Sequence, residues 1–386
     1  MIELLRKSSM FNRRNLIRAA LSLPLVHALP ASAARPTRPR GAAPDRMARF
    51  IAAMPKAEYH VHLEGTLEAE MKFVLARRNG LALPYPDVAA MKASYKYHDL
   101  PSFLAIYYDG MKVLLREQDF YDLAYAYLAK AASQNILYTE MFFDPQEHLK
   151  RGIAMEAVIG GITRARADAE RRFGIQSQLI LCFVRDLSAD SAMAALDAAL
   201  PLKQHLVGVG LDSDEKNNPP NKFAAHFAKA RAAGLKVTAH CDLNQEDVLE
   251  HLRQAIVDLK VDRIDHGGNI LQSPELMALA RQRNLFFTVC PSFSGRVRGE
   301  GQPIDVVRGM LDQGLNLTIN SDDPAYMGSE YLNAVLLSAQ RRSGLTEREL
   351  VRIERNAFNA AWISDDRRRH FQARLDGFAR KWGVEA

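Results

Sequence analysis

Eight short runs rich in β-branched and aromatic residues, most of them followed by a helix-patterned stretch, constrain this chain more than any other feature. They read as strands near 57–62 (AEYHVH), 136–143 (ILYTEMFF), 178–185 (QLILCFVR), 206–212 (LVGVGLD), 235–240 (LKVTAH), 262–266 (DRIDH), 285–290 (LFFTVC) and 315–321 (LNLTINS). Between them lie apolar residues at helical spacing, as in PNKFAAHFAKARAAG, DVLEHLRQAIVDLK and SPELMALARQRN, the first stopped by Gly234. No short repeat recurs, so a solenoid is excluded. Strands alternating with helices predict one parallel (β/α)8 barrel of the TIM type. The interval from Glu64 to Asn135 is too long for one crossover helix. It predicts extra helices over the barrel mouth, bearing the aromatic cluster YKYHDLPSFLAIYY at 95–108.

At 386 residues, 48% hydrophobic and 25% charged, the chain has the length and composition for such a core. The formal charge of +6 invites an anionic partner. Many of the arginines, however, sit near the ends (Arg13, Arg14, Arg18, Arg35, Arg38, Arg40, and Arg367 to Arg369), and no basic-aromatic interleaving is present, so nucleic-acid binding is not expected. Cys182, Cys241 and Cys290 lie in apolar strand-like runs without CxxC spacing and read as buried thiols. Residues 1–45 differ from the rest. Arg13-Arg14, a modest apolar stretch and Ala31-Ser32-Ala33 resemble a twin-arginine export signal, with Asn12 where Ser or Thr is usual. The apolar stretch, interrupted by Pro24 and His27, is too short for stable membrane insertion. The expected organisation is a signal-like segment over 1–45 and a single domain over 46–386, exported to the periplasm or beyond if the signal operates and cytoplasmic otherwise.

Polar residues end the strands in a pattern. His60 and His62 close the first, His240 the fifth and His266 the sixth, while Asp322 and Asp323 follow the eighth. Side chains at i and i+2 of an extended strand share a face, so His60 and His62 project together while Val61 points away. In a parallel barrel the C-terminal strand ends converge on one face. Three imidazole nitrogens and a carboxylate oxygen there suit Zn²⁺ with an open position for water.

PKAEYHVHLEGTL at 55–67, GVGLDSDEKNNPPNKF at 208–223, VTAH at 237–240, DRIDHG at 262–267, VCPSFS at 289–294 and TINSDDPAYMG at 318–328 together resemble the adenosine/adenine deaminase family of metal-dependent amidohydrolases. The resemblance implies one zinc per chain held by His60, His62, His240 and Asp322. It implies that His266 orients and deprotonates the attacking water, that Asp323 contacts purine N7, and that the backbone around Ser213 approaches the ring's far edge. The expected reaction is hydrolysis of the C6 amino group of a 6-aminopurine, adenine or adenosine, to the 6-oxopurine and ammonia. FFDPQEH at 142–148 and GLDSDE at 210–215 look more like the adenine branch. The family's ring-nitrogen acid is a glutamate three residues after the fifth-strand histidine, in His-Ala-Gly-Glu. Here His240 is followed by CDLNQED, which leaves Glu246 or Asp242 to act as the acid. That departure keeps two further readings open: a deaminase of N6-substituted adenines, and a purine-binding protein that has lost catalysis.

Overall fold

The computed structural model describes residues 45–241, 246–294, 296–297, 304–328 and 330–385. The signal-like segment therefore lies outside the described residues, apart from Asp45. Among the described residues, no helix is long and apolar enough to cross a membrane.

All eight expected strands form: β1 (Lys56–Glu58), β2 (Ile136–Phe143), β3 (Gln176–Val184), β4 (Gly208–Asp212), β5 (Lys236–Cys241), β6 (Arg263–His266), β7 (Phe286–Val289) and β8 (Asn316–Ile319). They pair in parallel and in chain order from β1 through β8. Past the end of β1, His62 bridges Phe142 of β2 and Val61 bridges Asp322 just after β8, the latter bringing the first and last strands together into a nearly closed TIM-type barrel. The regular part of β1 is shorter than the alternation predicts. Its histidines sit on the extended continuation, held by His62 N–H to Asp322 O (3.0 Å) and Asp322 N–H to His60 O (2.9 Å).

The long interval after β1 holds helices α2 (Ala69–Arg78), α3 (Val88–Ser94), α4 (Leu100–Gly110) and α5 (Glu117–Ser133), which follow α1 (Arg46–Ala53). Asp99 caps α4 by accepting from the Ser102 N–H, and Pro101 sits in its first turn. The buried face of α4 presents Phe103 and Tyr107.

The barrel interior is unusually polar. Near the start of β6, fully buried Arg263 pairs with Glu140 of β2 at 2.6 Å and lies 3.7 Å from the Trp362 ring centre. Higher up, Asp265 accepts from the hydroxyls of Thr238 and Thr288, each at 2.8 Å. Removing one partner of a buried ion pair strands the other charge. Arg263→Met is therefore expected to cost about 3–5 kcal/mol, read as a lowered urea midpoint. The double variant with Glu140→Gln should be more stable than the single. A single variant of wild-type stability would show that the pair does not hold the barrel.

Candidate metal centre and substrate cavity

The strand ends bring His60, His62, His240, His266, Asp322 and Asp323 together, all buried. His60 Nδ1 lies 3.1 Å from Thr288 O. A carbonyl oxygen only accepts, so Nδ1 carries the proton, and Nε2 keeps a bare lone pair. That Nε2 has no hydrogen-bond partner and sits 3.3 Å from Asp322 Oδ1. His62 Nε2 is 3.5 Å from the same oxygen and 3.2 Å from His240 Nε2. Donor atoms around a tetrahedral ion with bonds of about 2.0–2.2 Å lie about 3.3–3.6 Å apart. The three spacings above, 3.2–3.5 Å, fall close to that range. His60, His62 and His240 offer ligand atoms that lie within 4.8 Å of one another.

Electrostatics favour the ligand form. Burial pushes His60, His240 and His266 well below the usual imidazole range, and His62 down to about 4. Neutral imidazoles present lone pairs, which is what a metal needs. Asp323 moves the other way, pushed well up by burial and by the neighbouring Asp322 carboxylate. His266 Nε2 stands 4.0 Å from Asp322 Oδ2.

Three residues at this mouth adopt left-handed backbone despite carrying a Cβ: Ser213 (φ 72°), His266 (φ 59°) and Asp322 (φ 64°). Such conformations cost of order 1–3 kcal/mol each and persist where surrounding structure over-determines them. Each directs a polar side chain at the end of a strand. Gly65 is required for a different reason: a Cβ there would fall 2.0 Å from Asp323 Oδ1.

A cavity of about 40 Å³ opens beside the cluster, lined in part by Phe103, Tyr107 and Tyr108 of α4 and by His62, Ser213 and Asp323. The Tyr108 hydroxyl donates to Ser213 Oγ at 2.9 Å, tying α4 to the end of β4. Tyr97, also expected among the covering aromatics, packs edge-on against Phe103 at 5.1 Å.

Of the two expected acids, the one described does not join this group. Glu246 is exposed and lines a separate surface cleft with Lys216, Asp247 and Glu250. Asp242 lies outside the described residues. Conversely, several residues at the centre went unread in the sequence. Asp265 Oδ2 is 3.4 Å from His240 Nδ1, and Thr288 orients His60. Asp144 and Asp212 also line the cavity. A signal for the first group existed: Thr238, Asp265 and Thr288 are polar positions inside otherwise apolar strands.

The family model described as adenosine deaminase matches residues 55–378. The chain is 54% identical over 331 residues to an uncharacterized deaminase of Schizosaccharomyces pombe, covering 86% of this chain and 97% of that protein. It is 45% identical over 336 residues to an adenine deaminase of Sphingopyxis alaskensis, covering 87% and 98% respectively. An amidohydrolase structure from Burkholderia ambifaria with bound zinc superposes with a TM-score of 0.78 at 28% identity, covering 90% of this chain and 98% of that one. With the barrel and the histidine–aspartate cluster, these likenesses place the chain in the adenosine deaminase family, as a metal-dependent aminohydrolase of the adenosine/adenine deaminase type.

Proposed function

We propose that this protein hydrolyses the C6 amino group of a 6-aminopurine, adenine in preference to adenosine, with one Zn²⁺ per chain held by His60, His62, His240 and Asp322. The observation that carries the reading is the convergence of His60 Nε2, His62 Nε2, His240 Nε2 and Asp322 Oδ1, with neighbouring contacts of 3.2–3.5 Å. Three imidazoles and one carboxylate suit zinc, and the solved relative from Burkholderia ambifaria binds that ion. Zn²⁺ bound there supplies Lewis-acid activation of water at neutral pH.

The chain's own groups do the rest. His266, kept neutral by burial, accepts the water's proton at Nε2 as oxygen attacks C6. Asp323, whose carboxyl is pushed well up by burial and by the Asp322 carboxylate, contacts ring N7. An acid protonates N1, so that negative charge does not build up on the ring. The amino group then takes up the proton held by His266 and leaves as ammonia, the remaining hydroxyl proton returns to the acid, and the 6-oxopurine is the product. Adenine is favoured by the 45% identity to an adenine deaminase over 98% of that protein's length. The departure from His-Ala-Gly-Glu after His240 favours a second reading, an N6-substituted adenine, because that loop borders N1 and the exocyclic nitrogen. The intact donor set and His266 speak against a purine binder that has lost catalysis.

Purified protein assayed with adenine, adenosine and N6-methyladenine by ultraviolet absorbance tests the proposal. The expected result is zinc-dependent conversion, with kcat/KM for adenine at least about tenfold above that for adenosine. Preference for adenosine would overturn the choice of base. Preference for N6-methyladenine would select the second reading.

A further inference from the structure

Two carboxyl groups in the cavity lie outside the assigned ligand set and the groups assigned to proton transfer. Asp144 follows β2 and Asp212 ends β4; they are 1% and 2% exposed, and both line the cavity. Asp144 Oδ1 has no hydrogen-bond partner, while Asp212 Oδ2 faces His62 Nδ1 at 3.6 Å. The two carboxyls face each other, and Asp212 also meets the Cys182 thiol. Glu64 fixes the backbone here by accepting the Asp144 N–H at 3.2 Å and lies 2.7 Å from His148 Nε2.

Strand order locates the pair. In an eight-stranded barrel paired in chain order, β2 and β4 stand across from β6 and β8. Asp144 and Asp212 therefore occupy the wall opposite the strands that carry His266 and Asp323. A buried acceptor left without a donor costs about 1–3 kcal/mol, and the strands on either side hold these oxygens in place. A ligand bearing an N–H on that edge would satisfy one.

Free adenine offers one ring N–H. In the 9H form of the base that proton sits on N9, at the edge of the purine remote from C6. Adenosine carries ribose at N9 and has no ring N–H to give. We propose that Asp144, braced by Asp212, accepts the N9–H of the free base and so makes the cavity select unsubstituted purine bases over N9-substituted ones. The inference rests on the functional reading above, in which the substrate is a 6-aminopurine. A carboxyl oxygen accepts an N–H whether or not the group is protonated, so the contact does not depend on the pair's charge.

The test compares adenine with 9-methyladenine, which removes the donor while adding a single methyl. Wild-type enzyme is expected to favour adenine by about 100-fold or more in kcat/KM, as a site built around a donor does against an analogue lacking it. Asp144→Ala should shrink that ratio at least tenfold with metal content unchanged. Asp144→Asn, which keeps a carbonyl acceptor, should retain more of it and covers the case in which the alanine variant does not fold. An unselective wild type, or an unchanged ratio in Asp144→Ala, overturns the proposal. Dissociation constants for hypoxanthine and 9-methylhypoxanthine give the same comparison without turnover. A protein inactive on every 6-aminopurine that still discriminates between these two would fail the functional reading and keep this one.

Discussion

Alanine at His62 or at Asp322 is expected to empty the metal site and abolish deamination. In the proposed ligand set each contributes one of four donor atoms, whose neighbouring contacts are 3.2–3.5 Å. With one donor gone, the remaining histidines are still neutral but no longer enclose an ion, and water competes for the vacated position. Loss of a group that only orients a ligand lowers metal affinity about 10–100-fold, so loss of a ligand itself should exceed that. Zinc per chain, measured by elemental analysis after dialysis, should fall from about one to near zero, with turnover down by three orders of magnitude or more. Asp265→Ala supplies the graded control. It removes the acceptor beside His240 and the anchor of Thr288, so metal should weaken without disappearing. Full occupancy in either His62→Ala or Asp322→Ala would remove that residue from the ligand set.

The second large effect concerns the acid for N1. Its family position after His240 is Leu243 here, and the carboxylates of the segment are Asp242 and Glu246. Glu246 faces solvent beside Lys216 and Asp247, away from the cavity lining. We therefore expect Asp242→Asn to lower kcat by two or more orders of magnitude, the usual loss when a positioned acid is removed, with zinc retained. Glu246→Gln should cost less than tenfold. The reverse ranking would assign the role to Glu246 and require the segment to carry it inward when substrate binds.

How much of this was legible in the sequence differs from residue to residue. The eight strands were, because buried parallel strands demand short runs of β-branched and aromatic residues and the helices between them carry a different period. β1 was overextended: the His60–His62 alternation continues the period-2 pattern, yet the segment meets its neighbours through single bridges rather than a ladder. The histidines and the Asp322–Asp323 pair were legible because strand ends in a barrel must converge, whatever the loops do.

Asp265, Thr238 and Thr288 were not read, although 23 and 27 residues separate Asp265 from its two partners along the chain. Cross-strand hydrogen bonds inside a barrel depend on register, and register follows from how all eight strands pack. Asp144 and Glu246 make the same point from opposite sides. Both are carboxylates just beyond a strand, and local composition ranks Glu246, near the start of a helix, as readily as Asp144. The fold buries Asp144 in the cavity and leaves Glu246 in water. The sequence by itself determined which elements form and which strand ends carry nitrogen and oxygen donors, since burial and side-chain period are written locally. Only the tertiary structure decided which carboxyls face the cavity. That depends on backbone turns after each strand, left-handed at Ser213, His266 and Asp322, which are held by contacts from distant parts of the barrel and not by the residues' own preferences.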